Sequence, residues 1–343
     1  MKKLMFPLLI VLLLVPNFVL AQDAEAGNKS ARILHKKIAD SLFVLTHNNT
    51  NSVLYIDKDY ALIVDTQTSA AGPDLLQYAS RLSPLQPIKF VLNTHYHKDH
   101  TGGNKFFYES GATILANLGT HTNLLTSINE AQIKTLNQER TELIAQVKAE
   151  GNSERGQKLS RLLEKNVFEN LEQDLEYSVL TYTGGLNWEL SGESIEVKTI
   201  LKSHTSEDTY VYFKNKNVLV TGDLFFSKAY PFIDLAYGGG IDGFMKSLDA
   251  LLLSCDDDTM IVPGHGPIAS KNDLAQYKRM IEYIYKGVSM DYLLNKSLSE
   301  VKSNKAITAQ FDAQGFGKGY VSTSQFIEML YAEADKKYRK RQK

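Results

Sequence analysis

The sequence contains, from residue 94 to residue 103, the segment Thr94-His95-Tyr96-His97-Lys98-Asp99-His100-Thr101-Gly102-Gly103. Three histidines and one aspartate fall within six positions of this segment, and the whole chain has only eight histidines in 343 residues. Imidazole and carboxylate groups are the ligands that zinc and its borderline neighbours prefer. The segment therefore predicts a metal site rather than a polar turn with incidental histidines.

The residues around this segment predict an α/β layered protein. Residues 89–93 form an apolar run, predicted to be a buried strand that delivers the histidines, and residues 104–110 and 113–116 follow as a short helix and another strand. Upstream, residues 31–66 are predicted to be short strands joined by polar turns. In such proteins the ligands collect where strands end.

Further candidate ligands follow predicted strands downstream. His204 follows the strand that ends at residue 201, Asp223 follows residues 218–222, and His265 follows residues 260–264. Each is weak alone, but together with the histidine segment they give the specific order His-x-His-x-Asp-His, His, Asp, His. Asp65 also lies at a strand end, where it either orients a ligand or serves as a turn residue.

These ligands predict a particular chemistry. They are enough to surround two divalent ions, which would lower the pKa of a shared water toward 7 and supply hydroxide at neutral pH. One ion could polarise a carbonyl oxygen while the other holds the leaving group. Asp99 could both bind a metal and orient the nucleophile, and we therefore predict a catalytic role for it.

Composition narrows the class of protein. Hydrophobic residues make up 43% of the chain and charged residues 22%, as in ordinary globular proteins. The formal net charge of −1 predicts no general attraction to nucleic acid, so we expect a small-molecule substrate. Cys255 is the only cysteine, which excludes an intrachain disulfide and leaves nitrogen and oxygen as the metal ligands.

Residues 1–21 are similar to an export signal. Lys2 and Lys3 precede an apolar run over residues 4–15, and Val19-Leu20-Ala21 offers a cleavage site. We therefore expect an exported protein, periplasmic or secreted, without a stable membrane span after cleavage. The alternative is a signal retained as a membrane anchor. The oligomeric state is left open.

The rest of the chain divides into a body and two helical additions. We predict a catalytic domain over residues 22–275 and a helical C-terminal extension over residues 276–343. An inserted helical hairpin is predicted over about residues 120–180, broken near Gly151, because apolar residues recur there at helical spacing, among them Leu124, Leu125, Ile128, Leu159, Leu162 and Leu163. The hairpin could serve packing alone, or act as a lid, a wall of the substrate cleft or a dimerisation surface.

The chain resembles the metallo-β-lactamase-fold hydrolase superfamily over residues 35–275. The resemblance rests on the histidine segment and on four shorter motifs, Leu62-Ile63-Val64-Asp65-Thr66, Ser203-His204-Thr205, Thr221-Gly222-Asp223 and Pro263-Gly264-His265-Gly266. It implies a four-layer αββα sandwich with two metal ions at one edge. By that pattern the first metal is bound by His95, His97 and His204, the second by Asp99, His100 and His265, and Asp223 bridges both.

The resemblance also bears on the substrate. An aspartate at the bridging position is similar to the glyoxalase II, lactonase and related hydrolase branches, whereas true β-lactamases of the fold carry cysteine or serine there. Phe226 stands where acyl-homoserine lactonases usually have tyrosine. The segment from Tyr230 through Phe232 and Tyr237 resembles an exported bacterial branch. We expect Tyr230 and Tyr237 to line the cleft because they follow the bridging ligand, whereas for Phe232 packing in the core is favoured over a place in the cleft.

The sequence therefore predicts an exported dinuclear zinc hydrolase that cleaves a small ester, lactone, thioester or amide with a hydroxide bridging two Zn²⁺ ions. Iron or manganese could replace zinc in a nitrogen and oxygen site. A β-lactamase is the alternative within hydrolases. A di-iron redox protein of the same fold, or a non-catalytic protein that retained a metal site, would represent other classes.

Overall fold

The structure is a computed structural model that describes residues 32–151, 153–155, 157 and 177–339. The predicted signal peptide and most of the second arm of the predicted hairpin lie outside the described residues. Among the helices that are described, none combines the length and the hydrophobicity needed to cross a membrane.

The strands form two half-sheets. The first contains β1 to β7, in the order β7-β6-β5-β4-β3-β2-β1, and the second contains β12-β11-β10-β9-β8. A single pairing of His265 in β12 with Thr50 in β3 joins them. The bounds are β1 Leu34–Ala39, β2 Leu42–His47, β3 Thr50–Ile56, β4 Ala61–Val64, β5 Ile88–Leu92, β6 Thr113–Asn117, β7 Val179–Tyr182, β8 Gly185–Leu190, β9 Glu193–Leu201, β10 Glu207–Phe213, β11 Val218–Phe226 and β12 Met260–His265.

The helices cover the outer faces of the half-sheets and extend the C-terminal end. They are α1 Gly72–Leu82, α2 Lys98–Thr101, α3 Asn104–Glu109, α4 Leu118–Glu150, α5 Ile241–Ser254, α6 Lys271–Leu293, α7 Leu298–Ser303, α8 Ala309–Asp312 and α9 Thr323–Arg339, with a 3₁₀ turn at Lys305–Ile307.

Three apolar cores separate the layers. Strand residues alternate between faces, so Val53 and Tyr55 of β3 point into the core between the half-sheets, whereas Leu54 points outward toward helices α1 and α3. A third core lies between the second half-sheet and helices α5, α6, α7 and α9. Burial of each large apolar side chain contributes about 1.5–3 kcal/mol. The predicted four-layer αββα sandwich is confirmed.

The predicted helical additions are also found where the chain is described. Helix α4 begins after Asn117, whose side chain accepts a hydrogen bond from Gly119 N, and it ends at Glu150, next to the predicted break. The chain is mostly helical from α6 onward, as predicted. Residue 275, the predicted end of the catalytic domain, lies inside helix α6, which continues through it without interruption. The division into domains stays a prediction.

Candidate metal centre

The edge where the two half-sheets meet brings the predicted ligands together. His95 and His97 follow β5, Asp99 and His100 lie in α2, and His204 lies just after β9. His265 is the last residue of β12. Parallel strands β4, β5 and β6 end at this same edge, which is why ligands far apart in sequence converge there.

Asp223 differs from the prediction in one respect. It was expected just after a strand, but β11 continues through it to Phe226. The strand bends at Gly222, where the register with β12 shifts and φ is +52°. A Cβ atom on Gly222 would lie 2.6 Å from Thr94 Oγ1, so only glycine fits between the carboxylate and the histidine segment. The bend turns the Asp223 side chain toward the histidines.

Two groups of donor atoms result. His95, His97, His204 and Asp223 form the first, here called the His95 group, and Asp99, His100 and His265 form the second, here called the Asp99 group. Within each group the potential ligand atoms all lie within 4.8 Å of one another. The structure therefore brings together all of the side chains that the sequence predicted as ligands.

Asp223 lies between the two groups. Its Oδ1 is 3.2 Å from His100 Nε2, and its Oδ2 is 3.3 Å from His265 Nε2 and 3.4 Å from His204 Nε2. Oδ1 is buried and accepts no hydrogen bond of good geometry from the described residues. A buried carboxylate oxygen without a donor is costly, and a shared cation would satisfy it.

In each of these histidines, the outer ring nitrogen, which points away from the metal centre, makes a hydrogen bond. This bond orients the ring and its inner nitrogen, which faces the centre. His204 Nδ1 lies 2.7 Å from the carbonyl oxygen of Phe232, which can only accept, so Nδ1 carries the proton and Nε2 presents its lone pair inward. His97 Nε2 likewise lies 3.0 Å from the Asp234 carboxylate, and its Nδ1 faces inward.

Two consecutive hydrogen bonds, from His95 to Thr94 and from Thr94 to Asp65, orient the ring of His95 in the same way. The Thr94 hydroxyl donates to Asp65 Oδ2 at 2.8 Å, so it accepts from His95 Nδ1 at 3.0 Å. Asp65 Oδ2 also lies 2.7 Å from His100 Nδ1. Asp65 thus orients histidines of both groups, which supports the first of the two roles considered for it.

The inner nitrogens of the His95 group lie close together. His97 Nδ1 lies 3.1 Å from His95 Nε2 and 2.9 Å from His204 Nε2, and the latter two nitrogens present lone pairs by the argument above. A cation among the three nitrogens would be bound by these lone pairs. The arrangement fits a metal ion bound by nitrogen and oxygen donors.

The pKa values separate the two groups. Burial lowers the pKa of His95, and it lowers that of His204 to about 4, so both imidazoles are neutral at pH 7. Burial also acts to lower the pKa of His265, but Asp223 and Asp99 outweigh it and raise that pKa to about 9. The pKa of His100 is raised in the same way, by the carboxylates of Asp223, Asp99 and Asp65 against the effect of burial.

The carboxylates respond in the opposite direction. Burial alone would raise the pKa of Asp99 and Asp223, but the neighbouring histidines hold both pKa values below the ordinary range. His100 and His265 are the partners in both cases. The carboxylates of Asp99 and Asp223 therefore stay ionised at neutral pH, and they attract either protons on these histidines or cations.

The sequence did not predict Asp234 as a functional residue. It is buried, and its Oδ2 accepts hydrogen bonds from Tyr96 OH at 2.5 Å and His97 Nε2 at 3.0 Å. Its backbone N donates to the carbonyl oxygen of His204 at 2.8 Å. Asp234 thus connects two histidines of the His95 group. The feature of the sequence that could have indicated Asp234 is its position in the segment that follows Asp223.

The aromatic residues considered for the wall of the cleft lie in different surroundings. The prediction for Tyr230 was wrong, because its ring is buried against Phe326 and its hydroxyl donates to Asp312 at 2.9 Å. Phe232 lies 5.7 Å from the ring of His97. Tyr237 stacks on Tyr96 at 4.7 Å. Phe226 stacks on His265 at 5.3 Å, so it packs beside the Asp99 group.

Solved structures share the fold. A metallo-beta-lactamase from Pontibacter korlensis aligns with a TM-score of 0.52 at 16% identity, over 73% of this chain and 99% of that chain. The structure of TMB-1 aligns with a TM-score of 0.51 at 17% identity, over 73% of this chain and 97% of that chain. At these identities the likeness concerns the fold alone.

Sequence comparison gives a short local match and a broad family match. Uncharacterized proteins of Mycobacterium bovis and Mycobacterium tuberculosis are 42% identical over 52 residues, which is 15% of this chain and 23% of each relative. The chain thus spans less than a quarter of the curated relatives it matches. Residues 45–126 and 171–265, just over half of the chain, match the metallo-beta-lactamase superfamily. Together with the fold and the convergent ligands, this match shows that the chain belongs to the metallo-β-lactamase superfamily.

Proposed function

We propose that the chain is an exported dinuclear zinc hydrolase that cleaves a small ester, lactone, thioester or amide. The observation that carries this proposal is the position of Asp223, which lies within 3.4 Å of histidine nitrogens from both donor groups. A buried carboxylate shared in this way suits two neighbouring cations. His95, His97 and His204 would hold the first cation, and Asp99, His100 and His265 the second.

The bound ions would supply a nucleophilic water at neutral pH and polarise the scissile carbonyl. The protein holds the donors for them rigidly, since Asp65, Thr94 and Asp234 fix the histidine rings by hydrogen bonds. Such fixed orientation matters because rings that must reorient at each binding event lower metal affinity.

We assign Asp99 the role of moving the proton. Its Oδ2 lies 3.3 Å from both Thr50 Oγ1 and His265 Nε2, and the side chain is 35% exposed, the most open of the donors. Asp99 therefore stands where a substrate arrives. It would accept a hydrogen bond from the attacking water and return the proton to the leaving atom.

The donor set is compatible with zinc. The donors are imidazole and carboxylate, which zinc accepts, and Cys255 is buried in the third core, away from the metal centre. The same donors accept iron or manganese. Elemental analysis of the purified protein separates these cases, and bound iron with an optical band would support a redox protein instead.

A β-lactamase is the second candidate, favoured by the name of the structural neighbour from Pontibacter korlensis. The aspartate at position 223 argues for the ester and lactone branches, where the family resemblance places such a residue. The two candidates differ in the bond that is cleaved, so a direct substrate comparison distinguishes them.

The test is hydrolysis of p-nitrophenyl acetate, δ-valerolactone and nitrocefin by the zinc-loaded protein under one set of conditions. We expect turnover of the ester and the lactone, and a loss of at least about 10²–10⁴-fold in kcat on Asp99→Ala, because the proton-transfer group and a ligand of the second ion are removed together. Asp257→Ala serves as the matched control, since its carboxylate is 99% exposed and pairs with Lys271 rather than with a donor of the metal centre. Ester hydrolysis that survives removal of the metal would contradict the mechanism, and faster turnover of nitrocefin would favour the β-lactamase.

Export and cleavage after Ala21 are also proposed, on the pattern of residues 1–21 alone. Sequencing the amino terminus of the protein isolated from the periplasm or medium of a bacterial host tests this. A terminus at Gln22 is expected, and a protein found only in membranes with Met1 retained would contradict cleavage.

A further inference from the structure

The metal centre is open on one side only. The side chains of His97, Asp99 and His265 are 19%, 35% and 20% exposed. His95, His100, His204 and Asp223 are nearly or fully buried. A substrate must therefore approach along the exposed ring of His97 and the carboxylate of Asp99. The residues beside this opening determine which substrate fits.

Aromatic rings surround the exposed His97. Tyr96 lies 4.5 Å from its ring, and Phe232 lies 5.7 Å from it on another element. Tyr237 stacks on the outer face of Tyr96 at 4.7 Å, and Tyr320 meets Phe232 edge to face at 5.9 Å. These four rings, Tyr96, Phe232, Tyr237 and Tyr320, are here called the aromatic collar.

Tyr320 is the unusual member of the collar. It comes from the C-terminal extension, and its side chain is 85% exposed, with Phe232 as its one aromatic neighbour among the described residues. The extension is nevertheless held firmly near this point. Asp312 accepts hydrogen bonds from the hydroxyl groups of Tyr230, at 2.9 Å, and Thr323, at 2.7 Å. Asp312 and Thr323 lie at the two ends of the loop that carries Tyr320.

An exposed aromatic ring on an anchored loop is a favourable binding surface. The hydrogen bond between Thr323 and Asp312 closes the ends of the loop, which lowers the cost of ordering the loop when a ligand covers the ring. Aromatic pairs also attract each other beyond simple area burial, through edge-to-face or offset stacking. Tyr320 thus has an open ring face beside Phe232, which in turn contacts the histidines of the metal centre.

Two of the three hydroxyl groups of the collar are already used. Tyr96 OH donates to Asp234, and Tyr237 OH donates to Glu130 of helix α4. The third, of Tyr320, belongs to an exposed side chain. The collar therefore offers an incoming molecule mainly apolar ring faces, which suit a flat neutral group.

We propose that the C-terminal extension is part of the substrate site, and that Tyr320 and Phe232 bind a neutral aryl or similarly flat apolar group next to the carbonyl that is cleaved. This inference rests on the proposed function for the position of the reacting carbonyl. It assigns Tyr320 as a specificity-determining residue and Phe232 as the ring that connects it to the metal centre.

The experiment compares two hydroxamates that share a zinc-binding group and differ in a phenyl ring. Benzohydroxamate and acetohydroxamate are titrated calorimetrically into the zinc-loaded full chain. We expect the phenyl compound to bind at least about 10-fold more tightly, and Tyr320→Ala to reduce that preference by about 3- to 10-fold, the range for one aromatic contact. Tyr320→Phe is expected to retain the preference, and the affinity for acetohydroxamate is expected to stay unchanged.

Tyr283→Ala is the matched control. Tyr283 also belongs to the C-terminal helices and is 51% exposed, but its ring contacts Phe311 and no ring of the collar. Equal affinities for the two hydroxamates, or an equal loss for both on Tyr320→Ala, would overturn the inference. A protein that prefers benzohydroxamate but hydrolyses no substrate would refute the proposed function and leave the collar standing.

Discussion

The His95 group and the Asp99 group lie side by side and share Asp223, but burial and charge shift histidine pKa values in opposite directions in the two groups. In the His95 group, His95 and His204 are fully buried, and burial lowers the pKa of both, so these two imidazoles are neutral at pH 7. The Asp99 group is more open, and its histidines carry protons because carboxylates raise the pKa of His265 to about 9. The His95 group therefore offers His95 and His204 to a cation without a proton to remove. At the Asp99 group, a cation must first displace protons from the histidines.

This difference suggests distinct duties. A buried, preoriented set of neutral ligands favours tight binding without rearrangement. An open carboxylate beside protonated histidines favours exchange of protons and ligands. We expect the His95 group to retain its ion most firmly and the Asp99 group to take part in proton movement during turnover.

The largest effect is expected from a change that removes the shared ligand. Asp223→Ala leaves both groups without their common carboxylate, so we predict loss of both ions and a fall in activity of at least about 10³-fold. Elemental analysis and the rate of ester hydrolysis measure the two effects, and far-UV circular dichroism checks the fold. A variant that keeps two ions per chain would show that Asp223 is not shared.

A smaller and one-sided effect is expected at Asp234. Asp234→Asn weakens the hydrogen bond that orients His97, so we predict a loss of about 10- to 100-fold in affinity for the ion of the His95 group only. Competition with a chromogenic chelator measures the two affinities. Asp65→Asn is the comparison variant, because Asp65 contacts His100 directly and His95 through Thr94, and it should weaken both groups. Equal effects of the two variants would remove the distinction.

The third expected effect concerns pH. His204, with a pKa of about 4, is already deprotonated above pH 5, whereas His265, with a pKa of about 9, carries a proton up to pH 9 in the metal-free protein. Binding at the Asp99 group must displace that proton and the proton of His100, whose pKa is also raised, so its affinity should rise at least about 10-fold per pH unit between pH 6 and pH 8. The affinity of the His95 group should change little. Calorimetry in buffers of different ionisation enthalpy counts the protons released, and a parallel rise for both groups would contradict this account.

The sequence predicted the donors of the metal centre well for a physical reason. His95, His204 and His265 each follow an apolar strand, and strands of one sheet end at a common edge, so their convergence could be expected. The four-layer arrangement was implied by family resemblance rather than by periodicity, and the three apolar cores confirm it.

Apart from Asp65, the residues that orient the donors could not be predicted. Asp234 reaches His97 across 137 positions from an irregular segment, and Thr50 reaches His265 across 215 positions through the pairing of β3 with β12, and no local pattern encodes either contact. Strand β1 lies within residues 31–66, predicted as short strands, but its bounds could not be given because its residues are largely exposed and show no alternation of apolar and polar residues. Tyr230 was placed on the wrong side of its segment, since an aromatic residue after Asp223 suits either the cleft or the core.

The central claim is that two separate donor groups each hold one ion. Zinc content per chain, measured by elemental analysis after saturation and gel filtration at pH 7.5, tests it most directly when wild type and Asp99→Ala are compared. The account predicts two zinc ions in the wild type and one in the variant, retained by the His95 group. A wild-type protein that binds a single ion, or a variant that still binds two, would contradict it.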